Sequence, residues 1–360
     1  MSGVWGSNIK ISIFGESHGN AIGINIDGLP SGFEIDMDKV LFEMDRRAPG
    51  KNSMSTARKE SDFPEILSGY FEGKTTGTPL CAIIKNGDTR SKDYTKTKDY
   101  MRPGHADFTG YARYDGFNDY RGGGHFSGRI TAPLVFAGAI CKQILEKRGV
   151  LIGAHISSIK NITDKEFNNI DISKEILENL RNMELPLINT SLEENIKHTI
   201  LQTKYNGDSV GGSIECAVIG INPGVGNPFF DSVESTLAHL IFSVPAVKGI
   251  EFGRGFQMTN MFGSECNDEY YYDKDKVKTK TNNNGGVLGG ITNGMPILFK
   301  VAIKPTASIA KEQNTIDIKN KENVKFRVEG RHDPCIVQRA LPVIEAVTAI
   351  GILDLIKGRY

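Results

Sequence analysis

Apolar residues recur along the chain with two periods. Residues 9–14 and 21–27 alternate as half-buried strands do, whereas 36–47 places Val40, Leu41 and Met44 at helical spacing. The opening therefore predicts sheet followed by helix. Further strands are predicted at 65–71, 80–85, 152–159, 213–221, 250–256 and 296–304, several divided by Gly, Pro and Asn clusters. A helix is predicted over 131–148, with Pro133 in its first turn and Gly149 just past its end, and another over 172–183. Ser191 with Glu194, and Asp231 with Glu234, have capping-box spacing and predict two more helix starts. Asp333-Pro334 reads as the cap and first turn of a last helix that runs through Leu355 with a bend at Pro342. The polar stretches 162–172 and 267–284 read as surface loops.

Charge narrows the partners. Lys and Arg number 43 and Asp and Glu 43, so no long-range positive field exists to draw nucleic acid or an acidic membrane. A small-molecule partner is favoured. A chain of 360 residues can bury a large core, and with no obvious linker the expectation is one catalytic domain over 1–360. No basic-then-apolar segment opens the chain, and the most apolar run, 132–141, stops at Lys142, far short of the roughly 20 residues a membrane span needs. A cytoplasmic protein is expected. Five cysteines without a Cys-x-x-Cys pair suggest neither a disulfide framework nor a zinc ribbon, and no metal is expected.

One stretch is too costly for an ordinary core. Between Lys98 and Thr131 stand Arg102-Pro-Gly-His105-Ala-Asp107 and Asp119-Tyr-Arg121-Gly-Gly-Gly-His125-Phe126-Ser127-Gly-Arg129. Three consecutive glycines lose backbone entropy on folding and pack nothing, so their use is close approach of the backbone to something small. Flanking arginines make that something an anion. With five bases and two histidines against four aspartates the stretch is nearly neutral, so individual guanidiniums rather than a general field must bind. Gly-Lys-Ser/Thr is absent, which excludes a Walker loop, and the Gly-x-Gly-x-x-Gly spacing of a dinucleotide fingerprint is not clear.

Three further blocks carry candidate chemistry. Gly15-Glu16-Ser17-His18-Gly19 matches a hydrolase nucleophile elbow literally, yet an elbow runs into a helix and here a second strand follows. His18 is then the interesting member, as a proton donor or as an ordinary turn histidine. Asp45-Arg46-Arg47-Ala48-Pro49-Gly50 ends the first helix, where consecutive arginines point apart and grip separate anions or simply offset the helix dipole. Lys304-Pro305-Thr306-Ala307-Ser308 can hold a phosphate tail, and Gly330-Arg331-His332-Asp333-Pro334-Cys335 offers a carboxylate clamp in Arg331. Asp333 reads as a helix cap or a proton acceptor.

Taken in order, these blocks resemble the chorismate synthase family over essentially the whole chain, and 66–73, 243–249 and 282–290 are family-like as well. The resemblance implies an α+β fold, a β-α-β sandwich with helices packed between antiparallel sheets, assembled as a homotetramer. It implies a carbon–oxygen lyase acting on phosphates at the last common step of aromatic amino acid biosynthesis in the shikimate pathway. The reaction would be a 1,4-elimination of phosphate from 5-enolpyruvylshikimate 3-phosphate to give chorismate, requiring reduced FMN (FMNH2) without net redox change. By resemblance His18 would protonate the departing phosphate, His105 would protonate or stabilise the reduced flavin, and Asp333 would assist proton removal at flavin N5. Arg46, Arg47, Arg102, Ser127, Arg129 and Arg331 would bind the trianionic substrate. His125, Phe126, Ser127, Ala246, Gly289, Lys304 to Ser308 and Arg331 would bind the flavin. Ala48, Ser53 and Asn118 stand where the family pattern has basic residues, and the first of these regions is where a pyridine nucleotide, NADP, is associated with the family. With no room for an inserted reductase, an external source of reduced flavin is expected. Two rival readings remain at this level: a serine hydrolase using Ser17, and a non-catalytic flavin- or anion-binding protein.

Overall fold

The computed structural model describes residues 3–50, 52–55, 60–87, 98–328 and 332–358. Arg331 lies outside them. The period-two segments near the start form an antiparallel sheet in which Lys10–Gly15 pairs with Ala21–Asp27, that strand with Leu80–Lys85, and the latter with Pro64–Ser68, while Val4–Trp5 lies along the outer edge. Alternation sends Ile22, Ile24 and Ile26 inward with Leu80, Ala82 and Ile84, and all six are buried. A second five-stranded antiparallel sheet runs in the order Val247–Phe252, Ile297–Ile303, Gly212–Ile219, Leu151–Ile159, Ile162–Thr163. Its central strands are buried on both faces because the helix Lys174–Arg181 covers the outer side with Leu177 and Leu180.

Four helices fill the space between the sheets: Met37–Arg47, Thr131–Glu146, Val233–Ser243 and Val337–Gly358. Thr131–Glu146 is apolar nearly all round, and every residue from Thr131 to Leu145 is buried, as a helix without a polar face must be. It crosses Val337–Gly358 closely at Gly138, where a β-carbon would lie 2.3 Å from that of Ala346. One hydrophobic cluster runs through both sheets and these helices. The expected helix-between-sheets α+β architecture is the one observed.

Several element boundaries differ from expectation, each for a local reason. Asn189 rather than Ser191 accepts the first turn's N–H, and Ser232 rather than Asp231 caps Val233–Ser243 through Ser235 N–H at 3.0 Å. The last helix begins at Val337, so Asp333 is no cap; its carboxylate is drawn to Arg339 instead. The polar stretch 267–284 contains the hairpin Tyr270–Asp273 with Lys276–Thr279, and an unanticipated hairpin joins Glu312–Asp317 to Glu322–Arg327.

Candidate active site

The triple glycine forms a tight turn in Arg121–Phe126, with φ of 58°, 89° and 54° at Gly122, Gly123 and Gly124. Each position is left-handed and crowded. A β-carbon on Gly122 would lie 2.1 Å from His18 Cε1, and one on Gly123 would lie 2.9 Å from His105 Cε1. The close approach inferred from composition is therefore real, and within the chain the approached groups are two imidazoles. The turn also holds the His18 loop: Ser17 N–H donates to the Gly124 carbonyl at 3.2 Å, and the Ser17 hydroxyl donates to the Arg121 carbonyl at 3.2 Å while lying 3.0 Å from His18 Nδ1. Ser17 is fully buried and its turn leads into the strand Ala21–Asp27, so it has neither the exposure nor the strand-to-helix setting of a hydrolase nucleophile.

A cavity of about 790 Å³ opens beside this turn between the helix ends and the second sheet's edge. From the first half of the chain its wall receives His18, Arg47, Arg102 and His105, followed by His125, Phe126, Ser127 and Arg129. From the second half come Ala246, the run Lys304, Pro305, Thr306, Ala307, Ser308, and Asp333. Two predicted residues are not brought in. Arg46 turns into the core, where Nη1 donates to Glu345 at 2.6 Å and to Glu43 at 2.8 Å; Gly289 sits in the turn between Val287–Leu288 and Ile291–Thr292, away from the cavity.

Pairing sets the state of each charge. Arg47 Nη1 donates to Asp62 Oδ2 at 2.6 Å, and Arg129 Nη1 donates to Asp62 Oδ1. Burial alone would push the Asp62 carboxyl up, but the two guanidiniums hold it below the usual carboxylate range. Arg129 is the mirror case, its guanidinium pulled down by burial and by Arg47 while Asp62 and Glu60 oppose the shift. Arg102 grips Asp107 through Nε at 2.7 Å and Nη2 at 2.8 Å and reaches Ser308 Oγ from Nη1 at 3.2 Å. His105 Nδ1 lies 2.7 Å from Asp107 Oδ1 and 3.2 Å from Arg102 Nη2. A guanidinium cannot accept a proton, so the shorter, charge-assisted contact decides: Nδ1–H donates to Asp107, and the Nε2 edge is left beside Gly123. Against its burial, Asp107 is held well below the usual range by the Arg102 and His105 hydrogen bonds. Cys335, at the start of the same segment as Asp333, is inert, since burial pushes its thiol up to about 12.

The wall also suits a flavin. Among the described residues Thr306 Oγ1 is buried with no hydrogen-bond partner, beside Ser308 and Lys304, which is the donor set a phosphate tail would satisfy. In the same lining, Phe126, Pro245 and Val343 supply apolar surface for a ring system. Ala246 has φ of 75°, a strained value for a residue with a β-carbon, and its carbonyl accepts from Lys304 N–H at 2.9 Å. His125 Nδ1 lies 2.9 Å from the Gly15 carbonyl, which fixes its ring. Three residues escaped sequence reasoning: Asp62, Asp107 and Arg339. Asp107 had a local signal, two residues after His105; Asp62 and Arg339 had none, because their partners are distant in sequence or reached across a helix start.

Comparisons with known proteins bear on family and fold. A family model described as chorismate synthase matches residues 9–356. The chorismate synthase of Methanocaldococcus jannaschii is 45% identical over 372 residues, spanning 100% of this chain and 98% of that one. That of Pyrococcus abyssi is 45% identical over 350 residues, spanning 97% and 96%. A solved structure described as the crystal structure of chorismate synthase superposes with a TM-score of 0.77 at 29% identity, covering 99% of this chain and 93% of that chain.

Proposed function

The chain belongs to the chorismate synthase family, and from that premise we propose that it eliminates phosphate from 5-enolpyruvylshikimate 3-phosphate to give chorismate, using reduced FMN with no net redox change. Membership makes it a lyase of the shikimate pathway acting on a small molecule, and implies a flavin cofactor in general. The observation that carries the finer reading is the gathering of His18, Arg47, His105, Arg129 and Asp333, spread over more than 300 residues of sequence, around one cavity.

When bound, reduced FMN would supply electron density to the substrate as phosphate departs and would take up the C6 hydrogen. Lys304, Thr306 and Ser308 would hold its phosphate, and Phe126 and Ala246 would flank its ring. Arg47 and Arg129 bind the substrate's charge, where fixed donors in a closed cavity are worth more than in water. His18 delivers a proton to the departing phosphate. His105, with Nδ1 held by Asp107, would protonate or stabilise the reduced flavin from its Nε2 edge. Asp333 would assist proton removal at flavin N5, and Arg339 holds that carboxylate in place. Arg102 serves this site through Asp107 and Ser308 rather than as an uncommitted anion clamp. The protein acts as a single catalytic unit over 1–360, as a cytoplasmic homotetramer supplied with reduced flavin by another protein.

An anaerobic assay tests this reading. With reduced FMN, phosphate and the diene product should form together in equal amounts, and without it neither should form. Phosphate released at the same rate in the absence of flavin would make the protein a phosphatase.

A further inference from the structure

Arg47 and Arg129 carry like charges, are both buried, and share one cavity wall. Two such guanidiniums repel each other and resist desolvation, so nothing in their own chemistry keeps them side by side. Asp62 does. One carboxylate oxygen accepts from each arginine, Oδ2 from Arg47 at 2.6 Å and Oδ1 from Arg129. Further contacts lock the pair from the protein side: Arg47 Nη2 donates to the Gly128 carbonyl at 3.0 Å and Nε to Thr131 Oγ1 at 3.2 Å, while Arg129 donates from Nε to Asn86 Oδ1 at 3.0 Å and from Nη2 to the Lys85 carbonyl at 3.3 Å. Asp62 is itself 1% exposed and, unlike the two arginines, does not line the cavity. Its backbone has φ of 50°, the left-handed region a side chain rarely occupies, which marks a residue held against local preference by its surroundings. Glu60 is the second carboxylate nearby, 3.8 Å from Arg129 Nη2, and is engaged by Gly87 N–H at 3.0 Å.

We propose that Asp62 is a positioning residue that spaces and orients Arg47 and Arg129 from behind, so that their cavity edges take one phosphate or carboxylate group of the substrate jointly. The role rests on the function proposed above. Asp62 and Glu60 offset the two guanidiniums in charge, so what Asp62 contributes is the spacing and aim of their cavity edges. Asp62 never touches that ligand; it acts through geometry and charge balance.

Calorimetric titration of 5-enolpyruvylshikimate 3-phosphate into the wild type, Asp62→Glu and Asp62→Asn, with a thermal melt of each, tests the assignment. Wild type should bind. Asp62→Asn should weaken binding by about 30-fold or more, because two buried guanidiniums lose their shared counter-ion, and Asp62→Glu should fall between, at about 3- to 10-fold. In turnover, Asp62→Glu should raise KM with little change in kcat, which also serves if Asp62→Asn does not fold. Unchanged affinity in folded Asp62→Asn, or unchanged KM in Asp62→Glu, overturns the proposal. Tighter binding by Asp62→Asn also overturns it, since Asp62 would then compete for the anion seat. Failure of the wild type to bind removes the functional reading itself.

Discussion

Arg46 and Arg47 are neighbours on one helix, and they end in opposite kinds of charge cluster. Arg46 joins Lys142 and Arg181 around Glu43 and Glu345, where Lys142 Nζ lies 2.5 Å from Glu345 and Glu345 also accepts the Ala154 N–H at 3.0 Å. Arg47 joins Arg129 around Asp62 at the cavity wall. Successive residues on a helix point about 100° apart, so a one-residue step moves a guanidinium from a closed ion network to an open one. In the core cluster Arg46, Lys142 and Arg181 are answered by Glu43 and Glu345, with Glu146 also on Arg181 at 3.3 Å, and its consequence is stability and alignment. In the cavity cluster Arg47 and Arg129 share Asp62, with Glu60 3.8 Å from Arg129, and both guanidiniums border a space large enough for ligands. The same residue types thus become structural or functional according to whether they border that cavity.

Variants should separate the two regions. The largest effect is expected for His105→Ala, which should lower kcat by about 10²- to 10⁴-fold with a small change in KM and an unchanged melt. A comparable loss confined to substrate affinity would show that His105 binds rather than transfers protons. In the core, Glu345→Ala should cost about 3–5 kcal/mol in denaturant unfolding, because it removes one of the two buried carboxylates that Arg46 and Lys142 share and leaves both on Glu43, while kcat per folded molecule stays near wild type. If stability held and activity vanished, the core cluster would be part of the site.

Smaller, and shared by both regions, is an acid dependence of stability. Burial pushes the Glu43 carboxyl up, but Lys142, Arg46 and Arg181 hold it well below the usual range; the Asp62 carboxyl is likewise depressed by Arg47 and Arg129. A depressed folded value means the stabilisation is fully present above the unfolded value of about 4 and is lost as pH falls through it toward the folded one. Denaturant midpoints measured from pH 7 to pH 3 should therefore drop below about pH 4.5. A flat profile there would mean the carboxylates are not held by their cations.

Much of the fold was legible before any coordinates. The apolar run at 132–141, in a predicted helix with Pro133 in its first turn and Gly149 just past its end, reads as a buried helix, and Ala21–Asp27 alternates cleanly enough to mark its own ends. Polar hairpins such as Glu312–Asp317 with Glu322–Arg327 carry no strong apolar alternation and were missed for that reason. At the site, local blocks contain the wall residues His18, Arg47, Arg102, His105, Arg129 and Asp333 but not Glu60, Tyr114, Phe242 or Arg339. What they do not reveal is which cations are already spent: Arg46 finds Glu345 across 299 residues, and Asp333 looks like a helix cap until Arg339 claims it. Residue type and spacing predict chemistry, whereas partner choice is tertiary.

The division between the two arginines is most directly tested by kcat/KM for Arg46→Lys and Arg47→Lys, assayed anaerobically with reduced FMN. Lysine keeps a charge in either place but loses the planar fork. Arg47→Lys should fall by about 10-fold or more and Arg46→Lys should stay within about 2-fold of wild type. Equal losses in the two variants, or a larger loss at position 46, would contradict the assignment of the substrate's charge to the cavity cluster.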